Sequence, residues 1–270
     1  MKYDPIKFSL GKIFNRKPFL RKLFYRLLDL LLLRAWHIKK HIKKWNKTSS
    51  NTVNILDAGS GFGQYAYFLS KQSLKWNILG VDVKQEQIDD CNRFFKQINR
   101  SENVKFQYAD LTKFSENQKF DLILSVDVME HILEDVKVFK NFHQSMKKNG
   151  MLLISTPSDQ GGSDVHHDHE HSFIDEHVRD GYNIDEIKQK LEIAGFKNIE
   201  ANYSYGSSGK ISWKLSMKWP ILMLNKTKLF FAILPIYYIV TYPIAYILNY
   251  IDVRVCNKTG TGLIVKAYRE

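Results

Sequence analysis

The spacing of apolar and polar positions changes along the chain, and each change marks an element. Val53-Asn54-Ile55-Leu56-Asp57 is a short apolar run ending in a carboxylate. Its length and the glycines that follow predict a buried strand. Ala58-Gly59-Ser60-Gly61-Phe62-Gly63 places glycine at every second position, as in a tight turn whose backbone N–H groups can approach a ligand. Gln64 to Ser70 reads as a helix, with Tyr65, Tyr67, Phe68 and Leu69 as its apolar contacts. Gly80-Val81-Asp82-Val83, Phe106 to Leu111 and Phe120 to Val126 predict further strands, the first two ending at an acid or just past one. Helices are expected over Gln85–Asn99, over Glu130–Met146 with Ile132, Val136, Phe139 and Phe142 inward, and over Ile184–Ala194, closed by Gly195. Met151–Ser155, Phe196–Ser204 and Gly260–Tyr268 read as the last strands. Alternating strands and helices predict an α/β fold with its ligand at the carboxyl edge of a parallel sheet.

Leu20, Leu23, Phe24, Leu27, Leu28, Leu31 and Leu32 recur at i, i+3, i+4 spacing and predict one helix from about Pro18 to Trp45. Charge changes how this segment is read. The formal net charge is +12, and the fourteen Lys/Arg up to Ser50, set against Asp4 and Asp29, account for all of it. Either the helix packs on the domain with a solvated basic face, or it is a surface anchor for anionic lipid. The remainder is nearly neutral, so nucleic acid is not the expected partner, and an RNA contact by the helix lacks a stacking platform. Cys91 and Cys256 form no disulfide framework or metal spacing. They point to reducing cytosol, and Met1 to Pro5 lack the features of a secretion signal.

From about Asn54 to Phe196 the sequence resembles the class I S-adenosylmethionine-dependent methyltransferases. The resemblance implies a Rossmann-like seven-stranded methyltransferase sheet with helices on both faces. It implies S-adenosyl-L-methionine as cofactor, with Gly59, Gly61 and Gly63 lining its methionine end and Asp57 and Asp127 close by. Asp82 would hold the ribose hydroxyls, Asp110 the adenine amine, and Val83 and Leu111 would flank the ring. A sulfonium cation without phosphate suits such acids. A dinucleotide enzyme shares the glycines and the Asp82 equivalent but needs neither Asp57 nor Asp110.

Residues 1–50 are then a basic helical extension, 51–204 with 259–270 the methyltransferase domain, and 205–258 an insertion. The resemblance pairs the last two strands antiparallel. A single membrane crossing between them is therefore excluded, although Leu229 to Ile251 is uncharged and long enough. With Pro235 and Pro243 breaking a straight helix, a kinked or hairpin element is expected, entering one leaflet or capping the protein or a dimer face. Tyr237, Tyr238, Tyr242, Tyr246 and Tyr250 suit an interface.

Two constellations could serve catalysis. Asp127-Val128-Met129-Glu130-His131 is similar to the acid-x-x-Glu-His stretch of ubiquinone-biosynthesis O-methyltransferases, which implies a divalent-metal site at Asp127, Glu130 and His131. The competing, favoured reading has Asp127 capping the helix and His131 packing beneath the methionine. The loop Ser158 to Tyr182 carries His166-His167-Asp168-His169-Glu170-His171 and the run Glu176-His177-Val178-Arg179-Asp180-Gly181-Tyr182. That run resembles a bacterial methyltransferase branch linked to envelope or lipid chemistry. His177 or His171 could be a general base, or these residues could be solvated, with Arg179 and Glu176 in salt bridges. The expectation is an O-methyltransferase for a quinone-like, lipid or lipid-linked glycan hydroxyl, peripheral or monotopic at the inner face of an anionic membrane. An RNA or small-molecule methyltransferase and a non-catalytic binding protein of the same fold are the alternatives.

Overall fold

A computed structural model describes residues 17–45, 52–161, 178–227 and 229–270. Helices α1 (Pro18–Leu31) and α2 (Leu33–Trp45) precede β1 (Val53–Ala58), α3 (Gln64–Ser70), β2 (Trp76–Asp82), α4 (Gln85–Gln97), β3 (Val104–Tyr108) and β4 (Phe120–Val126). A 3₁₀ turn at Met129–His131 leads to α5 (Asp135–Ser145), β5 (Met146–Pro157), α6 (Ile184–Ile193) and β6 (Lys197–Ser204). The insertion follows as α7 (Ser207–Trp213), a π-helical segment (Lys214–Lys218), α8 (Trp219–Lys226) and α9 (Phe230–Arg254), and β7 (Gly262–Tyr268) closes the chain.

The sheet order is β3-β2-β1-β4-β5-β7-β6. The first five strands pair in parallel, and β7 runs antiparallel between β5 and β6. Both faces are covered, so the inner strands are apolar on both sides. Along β4, Leu122 and Leu124 join the core beneath α3 and α4, while Ile123 joins the one with Val138, Phe139 and Leu191. This period of two is what the apolar runs encode.

Two expected elements differ, and a third, the insertion, is the expected hairpin but without the expected breaks at its prolines. The segment 18–45 is two helices, broken at an extended Leu32 (φ −91°, ψ 109°). The carbonyls of Leu30 and Leu31 take the Trp36 indole N–H and the Ser216 hydroxyl, while the Arg34 N–H donates to Tyr205 Oη. The bonds that would continue the helix are thus made elsewhere. Nor do all the leucines face the core: Leu23, Leu27 and Leu30 are exposed with Phe19, whereas Arg21 and Tyr25 are buried. The helix expected from Glu130 begins only at Asp135, because Arg179 donates to the carbonyls of Ile132 and Leu133. The insertion is a hairpin, α7–α8 out and α9 back, and α9 continues through both Pro235 and Pro243. Tyr237 and Tyr238 bond the carbonyls of Leu215 and Ser216 on the opposite arm, holding α9 between its two prolines.

Candidate active site

The glycine turn sits at the carboxyl end of β1. Gly59, Gly61 and Gly63 have φ of +76°, +50° and +77°, which side chains with a Cβ rarely adopt. Gly59 and Ser60 both donate to Val81 O. Gly61 N–H reaches Asp82 Oδ2 at 2.9 Å, and Lys84 N–H reaches Oδ1 at 3.0 Å. Asp82 is therefore aimed by backbone on both sides of the crevice. Asp57 is buried behind the turn and accepts from Ala66 N–H at 3.1 Å. Burial pushes its carboxyl up to about 7, with the Asp82 charge adding to the effect. Asp110 takes the amide and hydroxyl of Thr112, which hold it below the usual carboxylate range. Val83 is half exposed, and Leu111 is buried.

Asp127 and Glu130 follow β4. Asp127 is left-handed (φ +53°), and its carboxylate meets Arg34 at 2.9 Å. Glu130 is turned inward, where Thr156 Oγ1 donates to it at 3.0 Å. Burial and then the Asp127 charge push it up to about 8. His131 ends the 3₁₀ turn, half-buried. Among the described residues no three His, Cys, Asp or Glu gather as a metal cage, so the Asp127–Glu130–His131 metal site is not assembled. Asp127 faces Arg34 while Glu130 faces the core. Asp127 does not cap a helix directly either, since Val128 precedes the 3₁₀ turn.

His166 to His171, Glu176 and His177 lie outside the described residues. The end of their loop is described. Val178 N–H bonds Glu130 O, and Tyr182 Oη, Arg179 and Lys190 converge on Asp135 Oδ2. Arg179 and Tyr182 thus fasten residues 178–182 beside the Glu130 turn.

Three contributors to this region were missed in the sequence. Arg34 reaches Asp127 from α2, and Tyr205, just after β6, accepts its amide. Arg21, 3% exposed, donates to Phe62 O in the glycine turn at 2.8 Å, to Asp90 at 2.9 Å and to Tyr25 at 2.7 Å. The available signal was an arginine set among leucines, at Leu20-Arg21 and Leu33-Arg34, where a purely solvated charge is out of place.

The residues suit a sulfonium-bearing amino-acid nucleoside. Asp82 keeps lone pairs beyond the two amides it accepts, and Ser60 Oγ and Ser125 Oγ, both buried, have no hydrogen-bond partner among the described residues. A family model described as a methyltransferase domain matches residues 49–203, more than half of the chain. The chain belongs to this methyltransferase family. Its fold is that of the class I S-adenosylmethionine-dependent methyltransferases, and S-adenosylmethionine is the cofactor. Phosphoethanolamine N-methyltransferase 1 of Triticum aestivum is 29% identical over 159 residues, covering 54% of this chain and 29% of that one. Ubiquinone biosynthesis O-methyltransferase of Rickettsia akari is 28% identical over 122 residues, covering 44% and 43%. The chain thus spans less than half the length of either relative. Among solved structures, phosphoethanolamine N-methyltransferase 2 of Haemonchus contortus with S-adenosyl-L-methionine superposes with a TM-score of 0.62 at 15% identity, covering 96% of this chain and 60% of that one. The [4+2]-cyclase SpnF gives 0.58 at 14%, covering 87% and 82%.

The two raised carboxyls give this methyltransferase a pH signature. Asp57 and Glu130 ionise near 4 when unfolded but at about 7 and about 8 when folded. Between those values the folded state holds the extra protons, so stability falls as pH rises. Cofactor-free melting temperature should drop from about pH 5 to about pH 8. Asp57→Asn and Glu130→Gln should each flatten part of that slope, and an unchanged slope in both would refute the assignment.

Proposed function

We propose that this methyltransferase methylates a hydroxyl of an amphiphilic acceptor, quinone-like, lipid or lipid-linked glycan. The Arg34–Asp127 pair carries the reading. Arg34 belongs to the helix pair that packs on the apolar hairpin, through Trp36–Tyr246 rings 4.9 Å apart and the Ser216–Leu31 bond. Asp127 belongs to the cofactor edge of the sheet. An acceptor with a polar head and an apolar body would suit a site where the two meet.

S-adenosylmethionine supplies an activated methyl group on a sulfonium. Asp57, Gly59, Gly61, Gly63 and Ser60 would hold its amino-acid end, with Asp82 at the ribose and Asp110, Val83 and Leu111 at the adenine. Alignment of acceptor and methyl does most of the work. An oxygen acceptor must also lose its proton. Glu130, pushed up to about 8, is largely protonated near neutrality, and Asp127 is occupied by Arg34. His131, next to Glu130 at the end of the turn that follows β4, is then the described residue assigned to take the proton. A second reading, methylation of an amine, is favoured by the N-methyltransferase relatives.

Purified protein with labelled cofactor and total lipid extract should place label in the organic phase, and mass spectrometry should locate the methyl on oxygen. His131→Ala should cut the rate by about 10²–10⁴ with cofactor affinity unchanged. Label confined to RNA or to soluble amines would overturn the acceptor class.

A further inference from the structure

The insertion hairpin and α1 are built inside out. On α9 the buried residues include Asn249 and Asp252, and on the opposite arm Ser212 and Ser216. Except for the Asn249 amide, which has no partner among the described residues, their polar groups are used within the protein. Asp252 accepts from the amides of Tyr205, Gly206 and Gly209 and meets His37 at 2.9 Å, while Ser212 bonds Ala245 O and Thr241 bonds Tyr237 O. The outward face is apolar: Ile236, Ile239, Val240, Ile244, Ile247 and Ile251 are exposed, Ile239 at 74%. At 100° per residue, with Tyr246 and Tyr250, they span roughly half the circumference of α9. Helix α1 repeats the pattern, with Arg21 and Tyr25 inside and Phe19, Leu23, Leu27 and Leu30 outside. The two elements are tied by the Ser216–Leu31 bond.

Charge identifies the occupant. From residue 201 to 251 the sequence has no Asp or Glu but has Lys210, Lys214, Lys218, Lys226 and Lys228. Asp252 is fully buried, while Lys214, Lys226 and Arg254 are exposed beside the apolar face, as is Arg26 on α1. A second copy of this chain would bring the same positive charge against itself. A wide apolar arc fringed by cations fits an anionic bilayer. Both arms return to the paired strands β6 and β7, so the hairpin can enter from one side only.

We propose that the hairpin and the outer face of α1 form one monotopic docking surface for an anionic membrane. This names the source of the amphiphilic acceptor proposed above, yet the two readings fail separately. Vesicle binding without methylated lipid removes the acceptor and leaves the surface.

The test is flotation of the full chain with phosphatidylcholine vesicles with and without about 30% phosphatidylglycerol. The protein should float with the anionic vesicles and stay partly bound in high salt, because apolar burial is not screened. Ile236→Glu with Val240→Glu should cut the bound fraction at least about tenfold. Leu74→Glu, equally exposed but before β2, should not. Retained cofactor binding in each variant shows that it folds. A wild-type protein that stays with the soluble fraction would overturn the proposal. So would a vesicle-indifferent dimer dispersed by the Glu substitutions, which would give the face to a second copy.

Discussion

Asp82→Ala loses at least about a hundredfold in affinity for S-adenosylmethionine and for its demethylated product, measured by titration calorimetry. The carboxylate is held by Gly61 N–H on one oxygen and Lys84 N–H on the other. An ionised carboxylate has about four acceptor positions, so two remain for a pair of hydroxyls. Charge-assisted bonds contribute about 1.5–3 kcal/mol each, and losing two gives the stated factor or more. The substitution also leaves two amides without their acceptor, at about 1–3 kcal/mol of stability. Binding should therefore be read at a temperature where the variant is folded by circular dichroism. Folded protein with unchanged affinity would remove Asp82 from the cofactor.

Arg21→Met has the largest expected effect on stability. The guanidinium is enclosed and donates to Tyr25, Asp90 and Phe62 O. Methionine keeps the apolar stem but strips these acceptors of their donor. Breaking a buried pair from one side costs about 3–5 kcal/mol. Asp90 retains Arg93, which favours the lower end. For a chain of this size that is a melting temperature lower by about 10 °C. Phe62 lies inside the glycine turn, so cofactor affinity should fall as well, and excess cofactor should recover part of the loss. A shift under about 2 °C would mean that Arg21 does not fasten α1 to the turn.

Legibility followed the range of the interactions. The strand ending in Asp57, the glycine turn and the acid at Asp82 are local signals, and β1 and β2 carry them where their spacing put them, whereas Asp110, expected within the next strand, lies two residues past the end of β3. The antiparallel last pair followed from the resemblance and is present. What was misread depends on distant partners. Only Trp36 near Leu32 could announce a break, because the other partners that divert its bonds, Tyr205 and Ser216, are distant. The delayed start of α5 depends on Arg179, more than forty residues on. Leucine periodicity marks an apolar face but not what covers it. In α1 the covered side was the one with Arg21 and Tyr25. Arg34 counted only as part of a basic run until the fold set it against Asp127.

The pairing of β5 with β7 bears on how the chain is made. Ser155 has its neighbour at Ile264, more than a hundred residues later in the sequence. Until β7 is made, β5 has an open flank, and the greasy hairpin leaves the ribosome before the strand that will seal it. An early attachment of that hairpin to lipid would keep the nascent half-sheet apart from its sisters. A chain cut before β7 should accordingly yield aggregates rather than a shortened enzyme.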